Sequence, residues 1–374
     1  MENIEVKKNN NIINSKKNEK QSPRDLKIFK KIVKEKNFHC IIFKSVYDLV
    51  LIVFNDKNYT IVTYNAIDDK KVSEIKNAHK IITELNHCLD KNNKRDLISS
   101  ISLYDNNLKI WDFNNFECIL NIDFKIGNFY LNLNSLCFLS NGNEIHLIAS
   151  SVDLPQTQLI HIYNLRGDKI KELNDDEVKN FFVDTFYDED FLKKYIIIST
   201  NADVRAIDYD NNKIIKHYTP VNEEPKKVIS IKNKEMNKKL GLDENHTIKT
   251  VKYAKGPLCV LVKKFGNITK LIAGMEKKGI KIWNFHSTEL IGDIIIPRLT
   301  INCIRIWDQE NLLVGTSGGL KLIDLNKNNI VKNNADIVSI VRMDICTIPK
   351  YGKCLITSDL KEMILWINKS LTLK

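Results

Sequence analysis

Residues 96–122 read DLISSISLYDNNLKIWDFNNFECILNI, and this stretch decides the fold. An apolar run at 97–103 is followed by Asp105 and two Asn residues, and a second run ends in Trp111-Asp112. After a polar break, a third run covers 117–122. Two apolar runs that meet at an Asp/Asn turn are typical of a β-hairpin. The stretch therefore predicts three consecutive antiparallel strands.

A histidine precedes this stretch at a characteristic distance, since His79 stands 32 residues before Trp111. This spacing, ending in Ile-Trp-Asp, resembles a WD-repeat, which forms one four-stranded blade of a β-propeller. The resemblance implies a hydrogen-bond network of a loop His, a Ser or Thr on the second strand, the turn Asp and the Trp. These residues are His79, Ser100 or Ser102, Asp105 and Trp111. We expect the network to stabilise a blade rather than to form an active site.

Seven segments of the chain share this order of strands and a residue at the Trp position. Those residues are Tyr64, Trp111, Tyr163, Ile207, Trp283, Ile323 and Trp366. Five of the six intervals between them, 47, 52, 44, 40 and 43 residues, lie near the period of a propeller blade. The resemblance covers about residues 26–374. It predicts an all-β, seven-bladed β-propeller of four-stranded antiparallel blades.

A second Ile-Trp-Asp sequence, at residues 306–308, has a different strand order around it. An apolar run at 311–316 and the turn Gly318-Gly319 follow it directly. This order predicts that Trp307 ends a first strand, near the rim opposite to that of Trp111, and is not a blade marker.

The two ends of the propeller are predicted to meet. Residues 1–24 are polar and rich in Asn and Lys, so we expect a disordered tail ahead of a single propeller at 25–374. Only eight residues follow Trp366. We therefore predict that residues 27–33 form an N-terminal strand that pairs with 363–366 and closes the seventh blade. Periodicity alone also allows a short helix at 27–33.

The remaining interval, 76 residues between Ile207 and Trp283, indicates an insertion at about 223–256. Two apolar stretches, 228–231 and 248–253, predict an extra hairpin within it. The insertion is interpreted either as a solvated loop or as an arm that contacts a partner, because long loops in compact domains are often functional.

Composition favours proteins over nucleic acid as partners. The chain is 43% apolar and 28% charged, with a net charge of +11. Its basic residues are 50 Lys and only 7 Arg. Arg is the usual choice for bidentate phosphate and base contacts, so the charge is better explained by a general excess of Lys, Asn and Ile.

The eight Cys residues are scattered through apolar runs without metal-ligand spacing, which predicts buried free thiols. The N-terminal residues lack the apolar core of a signal peptide, and no run is long enough to cross a membrane. We therefore expect a soluble intracellular protein, cytoplasmic or nuclear, without membrane insertion.

Motifs for catalysis are missing from the sequence. There is no phosphate-binding glycine loop, nucleophile elbow or metalloprotease helix, and the acidic run at 184–190 lacks the pattern of a calcium loop. No two Arg are adjacent, which argues against a phosphoinositide-binding propeller. We predict no enzyme activity, no catalytic residue, no cofactor, no metal and no small-molecule substrate.

The predicted function is a non-catalytic scaffold or adaptor that binds one or more proteins within an assembly. Alternatives are an RNA-contacting component of a ribonucleoprotein or ribosome-assembly complex, and a ubiquitin-ligase substrate receptor, suggested by Arg166. The partner-binding face is predicted where the turns between second and third strands gather with the blade connections. Its residues are Asp56, Lys57, Asp105, Asn106, Pro155, Gln156, Asp203, Glu276, Lys277, Lys278, Ser317 and Lys361.

Overall fold

The structure is a computed structural model of the chain. It describes residues 26–33, 39–56, 59–68, 70–80, 82–102, 105, 107–126, 129–130, 132–140, 144–152, 158–175, 180–200, 203–219, 228–231, 248–251, 257–276, 278–334, 339–349, 351–359 and 362–368. The predicted tail at 1–24 lies outside these residues, as does most of the predicted insertion.

The described residues form seven four-stranded antiparallel sheets and two separate two-stranded hairpins. In six of the large sheets the strands follow one another in chain order, so each sheet is one blade. The first strands of neighbouring blades contact one another in a ring, which places them around the central axis. The prediction of an all-β, seven-bladed propeller is confirmed.

The first three blades occupy the chain up to residue 175. Blade 1 comprises β2 (Cys40–Lys44), β3 (Val50–Asn55), β4 (Ile61–Asn65) and β5 (Lys71–Ile75). Blade 2 comprises β6 (Ile82–Asp90), β7 (Arg95–Ser102), β8 (Asn107–Asp112) and β9 (Glu117–Asp123). A small hairpin of β10 (Lys125–Ile126) and β11 (Phe129–Tyr130) follows. Blade 3 comprises β12 (Asn132–Ser140), β13 (Ile145–Val152), β14 (Gln158–Asn164) and β15 (Lys169–Asp175).

The other four blades follow in the same manner. Blade 4 comprises β16 (Asn180–Asp188), β17 (Lys193–Thr200), β18 (Val204–Asp208) and β19 (Lys213–Tyr218). Blade 5 comprises β22 (Pro257–Phe265), β23 (Ile268–Met275), β24 (Gly279–Asn284) and β25 (Leu290–Ile295). Blade 6 comprises β26 (Ile301–Ile306), β27 (Asn311–Thr316), β28 (Gly319–Asp324) and β29 (Asn329–Asn334). Blade 7 comprises β30 (Arg342–Ile348), β31 (Gly352–Ser358), β32 (Met363–Asn368) and β1 (Leu26–Val33).

The N-terminal strand closes the ring as predicted. β1 is the fourth strand of blade 7 and pairs antiparallel with β32, from Leu26 opposite Asn368 to Val33 opposite Met363. An ion pair of 2.7 Å between Lys31 Nζ and Glu362 Oε2 supports the pairing. The helical alternative for these residues is wrong, because the extended strand supplies the backbone partners that the edge of β32 requires.

Apolar side chains hold neighbouring blades together. Each of the seven interfaces between blades has its own buried cluster. Between blades 1 and 2, Phe43 and Val53 pack with Ile98 and Trp111. The interface between blades 7 and 1 is also filled, which completes the ring. Stacking covers the apolar faces that a single blade could not bury alone.

The marker residue on each third strand lies opposite a one-residue bulge in the fourth strand. In blade 2, for example, Ile110 pairs with Leu120 and Trp111 with Cys118, so Ile119 is left over. A bulge bends the strand and increases its twist. Because the bulge occurs in all seven blades, the marker residues that are Tyr or Ile occupy the same position in their blades as the Trp markers do.

A turn follows the marker residue in six blades, and its first residue is always Asn or Asp. The side-chain Oδ1 accepts a hydrogen bond from the backbone N–H two residues further on, at 2.9–3.0 Å. The residues are Asn65, Asp112, Asn164, Asp208, Asn284 and Asp324. Blade 7 has Ile367 at this position because its fourth strand comes from the N-terminal segment, so no tight turn is needed there.

The two Ile-Trp-Asp sequences occupy different strands, as predicted. Trp111 lies near the end of β8, a third strand, whereas Trp307 directly follows β26, a first strand. The prediction that they lie at opposite rims is wrong. First and third strands are both antiparallel to the second, so they run in the same direction and end at the same face. Trp307 is buried between blades 6 and 7.

The interval between blades 4 and 5 contains a further hairpin. β20 (Val228–Ile231) pairs antiparallel with β21 (Ile248–Val251), and these strands pair with no other described strand. The extra hairpin expected from the sequence is therefore present.

Candidate protein-interaction face and its supporting network

The alternation of strands sorts the turns of the propeller onto two faces. The turns between second and third strands share one face with the connections between blades, and we call it the connection face. The turns between first and second and between third and fourth strands form the opposite face. The inserted hairpin leaves from the connection face, because it lies between the fourth strand of blade 4 and the first strand of blade 5.

Blade 2 contains a buried hydrogen-bond chain that begins at its marker. Trp111 Nε1 donates to Ser100 Oγ at 2.8 Å, and Ser100 Oγ lies 2.8 Å from His79 Nε2. Since the indole N–H can only donate, the Ser100 hydroxyl hydrogen is free to bond to His79. All three side chains are buried. Of the two serines proposed from the sequence, Ser100 therefore joins the Trp and the His.

Asp105, at the connection face, lies beside this chain, although His79 Nδ1 has no hydrogen-bond partner among the described residues. Asp105 Oδ2 accepts the backbone N–H of Lys80 at 2.7 Å and lies 3.5 Å from His79 Nδ1. Ser102 Oγ accepts the backbone N–H of Asp105 at 3.3 Å. Burial lowers the pKa of His79 to about 4, so its ring is neutral at physiological pH. The network fastens the turn after β7 to the connection before β6.

Blade 7 has part of this arrangement. Trp366 Nε1 donates to Thr357 Oγ1 at 2.8 Å, and the register of Thr357 relative to Trp366 is the same as that of Ser100 relative to Trp111. The other five blades have an apolar residue at this position of the second strand. These are Phe54, Ala149, Ile198, Ala273 and Val314. A hydroxyl nine residues before Trp366 was the sequence signal for this contact.

Blade 4 fastens its turn with a different set of side chains. Asp203 is buried and its Oδ1 accepts hydrogen bonds from Thr200 Oγ1 at 2.7 Å and from Arg205 Nε at 3.0 Å. Its Oδ2 lies 3.0 Å from His217 Nδ1. Asp203 was expected as a partner contact, but its carboxylate is engaged within its own blade.

The other residues expected at the connection face are either hydrogen-bonded within the chain, half-buried or outside the described residues. Asp56 Oδ1 accepts the backbone N–H of Thr60 at 3.1 Å, and Ser317 Oγ accepts that of Thr300 at 3.0 Å. Glu276 and Lys278 are half-buried, and burial lowers the pKa of Lys278. Six more lie outside the described residues: Lys57, Asn106, Pro155, Gln156, Lys277 and Lys361.

Sequence reasoning missed an exposed aromatic side chain on this face. Tyr59 is 49% exposed in the turn between β3 and β4, with a positive φ of 62°. Its carbonyl accepts the N–H of Ala78 at 2.9 Å, which places the Tyr59 backbone beside the connection that carries the exposed Lys76 and Lys80. An aromatic residue directly after the turn Asp56-Lys57-Asn58 was the available signal.

The innermost strands carry ionisable side chains that join neighbouring blades; Glu84 is buried, and Asp344 and Arg305 are partly exposed. Glu84 Oε2 accepts the N–H of Leu136 at 2.9 Å, and Asp344 Oδ2 accepts that of Ile42 at 3.2 Å. Arg305 Nε lies 3.3 Å from Asp344 Oδ1. Burial raises the pKa of Glu84 to about 7 and that of Asp184 to about 6. Glu84 and Asp344 therefore join first strands of neighbouring blades through side-chain-to-backbone bonds.

Other expectations concern thiols, metals and membranes. All eight Cys are free, and six of them are buried. Among the described residues, no group of three or more His, Cys, Asp and Glu converges as metal ligands would. The same part of the chain has no helix long and apolar enough to cross a membrane.

The seven four-stranded sheets define the class of this protein as a seven-bladed β-propeller. No protein family matches the chain, and no curated protein matches its sequence.

Proposed function

We propose that this chain is a WD-repeat-type propeller that serves as a non-catalytic platform for other proteins, with Tyr59, Lys76 and Lys80 at the centre of its contact surface. The observation that carries the proposal is the buried network of blade 2. It fixes the turn at Asp105 and the connection at His79 and Lys80 before any partner arrives. Groups that such bonds already hold in place lose little conformational entropy on binding.

Residue chemistry supports a protein rather than a nucleic acid at this surface. Tyr is enriched in the centres of protein interfaces because it buries a large area with few rotatable bonds. Lys76 and Lys80 flank it, and the face also carries the carboxylates of Asp56 and Asp105. A surface with both positive and negative groups complements a protein surface that also carries both charges better than it complements a uniformly negative phosphate backbone.

The test is affinity purification of the tagged chain from its native cells, followed by mass spectrometry. We expect a Tyr59→Ala, Lys80→Glu variant to lose proteins that the unaltered chain retains. The Lys80 side chain is exposed, and only its backbone N–H takes part in the network. Lys91→Glu is the matched control, because Lys91 is an exposed lysine of the same blade on the opposite face.

Two outcomes would contradict the proposal. If the unaltered chain, the Tyr59→Ala, Lys80→Glu variant and the Lys91→Glu control recover the same proteins, this part of the connection face does not bind them. Loss of the bound material on ribonuclease treatment, with binding that falls linearly in log[salt], would show that the chain contacts RNA.

A further inference from the structure

The tip of the first hairpin in blade 4 exposes two large apolar side chains. Residues 189–192 join β16 to β17, and Phe191 and Leu192 are 60% and 74% exposed. Only four described large apolar residues are more than half exposed, and the other two are Tyr47 and Ile295. Phe191 and Leu192 lie side by side on the opposite face, away from the surface proposed for protein partners. Adjacent exposed apolar groups of this size mark contact sites.

The backbone at this tip is unfavourable for the residue that occupies it. Leu192 has a positive φ of 51°, a region that disfavours a side chain such as Leu. The matching turn of blade 2 has Lys94 there, with φ of 49°, and the first hairpins of blades 5 and 7 have Gly266 and Gly352 in this region. In these first hairpins a polar residue or glycine occupies the position, whereas blade 4 keeps an exposed leucine there at a cost in stability. Strain of this kind is a pointer to function.

Blade 5 holds the tip in place. Lys264 Nζ donates to both carboxylate oxygens of Asp190, at 2.5 and 2.6 Å. The ring of His286 lies 5.1 Å from the ring of Phe191, centroid to centroid. The apolar pair is thus presented by a braced turn, which limits the entropy lost when it is covered.

The charges around the apolar pair are self-complementary. Glu189 precedes Phe191-Leu192 and Lys193 follows it, whereas Asp190 is bound to Lys264 and Lys194 Nζ lies 5.2 Å from the centroid of the Tyr209 ring. A two-fold axis through the tip would bring the acidic side of one copy to the basic side of the other. Interfaces in two-fold dimers use one patch on both subunits in this way.

We propose that the 189–194 tip is the centre of a symmetric homodimer interface, in which Phe191 and Leu192 of two copies pack together. Glu189 and Lys193 form the flanking pairs between copies. Glu189 is exposed, and within the described part of the chain the Lys193 ammonium makes a long contact of 3.9 Å with Asp208. Because this interface is on the opposite face, each copy keeps its connection face free.

Sedimentation velocity of the purified full chain over a wide range of concentrations tests the proposal. We expect the weight-average mass to rise with concentration for the unaltered chain. Leu192→Asn should weaken self-association about tenfold or more, as for an interface hot spot. Its melting temperature should stay equal or rise, since Asn tolerates this φ better than Leu. Lys94→Asn, at the same conformation in blade 2, is the matched control and should associate like the unaltered chain.

Charge reversals test the symmetry itself. Glu189→Lys and Lys193→Glu should each weaken association, and the double variant should recover it, because the reversed charges again pair across the axis. A chain that remains monomeric at every concentration would overturn the proposal. It would equally be overturned if Leu192→Asn associated normally, or if the double variant recovered nothing.

Discussion

The hydroxyl of Ser100 serves two neighbours at once, which explains why this residue type occurs there. It accepts the Trp111 indole N–H and lies within hydrogen-bond distance of His79 Nε2. The other five blades have an apolar residue where blade 2 has Ser100. Their marker residue is Tyr in two blades, Ile in two and Trp in one, which is Trp283. The hydroxyl therefore accompanies a Trp in two of the three blades that have one.

Removing this hydroxyl should destabilise the protein measurably. We expect Ser100→Ala to lower the free energy of unfolding by about 1–3 kcal/mol, because the buried indole N–H loses its acceptor. Ser99→Ala is the matched control. Ser99 is equally buried, but its hydroxyl has no hydrogen-bond partner among the described residues, so its removal should be close to neutral. Urea denaturation of the two variants checks this, and equal losses would show that the network contributes no stability.

The carboxylate of Glu84 should make stability depend on pH. Burial raises its pKa from 4.5 to about 7 in the folded state. As pH rises, Glu84 loses its proton at a lower pH in the unfolded chain than in the folded chain, which stabilises the unfolded chain. The stability that Glu84 contributes to the fold is therefore fully present below about pH 4.5 and is lost as pH rises through about 7. Glu84→Gln keeps an acceptor for the Leu136 N–H without the charge. Since one pKa unit corresponds to about 1.4 kcal/mol, the variant should be about 3 kcal/mol more stable than the unaltered chain at pH 8.

Thermal melts of both forms from pH 5 to 8 measure this difference. It should be small at the acidic end and grow toward pH 8. A difference that does not change with pH would mean that Glu84 is ionised throughout this range.

At the scale of elements, the fourth strand of each blade is the most regular feature. Every fourth strand has its bulge opposite the marker residue, and β1 shares it although it comes from the other end of the chain. In blade 7, Phe29 is the residue left over between Ile28 and Lys30. β1 therefore behaves as a full fourth strand and not as a loosely attached segment.

Truncation separates the strand from the tail that precedes it. Deleting 1–24 should leave the melting temperature nearly unchanged. Deleting 1–36 removes β1 and leaves the backbone edge of β32 unpaired, so the melting temperature should fall and aggregation should increase. Differential scanning calorimetry and light scattering measure the two effects. If both truncated forms melt at the same temperature, β1 does not stabilise the ring.

At the scale of the whole molecule, the seven interfaces between blades form a closed series. The inserted hairpin is outside this series, because β20 and β21 pair only with each other among the described strands. Replacing 223–256 by a short linker should therefore leave a folded propeller with a similar melting temperature, since changing loop length costs little. Circular dichroism of the shortened protein checks the fold. Loss of soluble expression would mean that the inserted segment belongs to the core.

The sequence by itself determined most of the strands, their order and the closing strand, but not the hairpin of β10 and β11. These features depend on local patterns: apolar runs, Asp/Asn turns and the interval between marker residues. Even the Asn or Asp after the marker was readable in six blades, because the turn it forms is completed within two residues. The one interval that broke the pattern correctly located the inserted hairpin.

The tertiary structure decided which side chains remain available. Asp203 stands in a turn of the connection face, yet Thr200 and Arg205 occupy its carboxylate. Leu192 appears as an ordinary apolar residue in the sequence but is exposed at a braced tip, and Glu84 is buried where two first strands meet. Such outcomes depend on contacts between blades that are distant in sequence, and local patterns do not specify them.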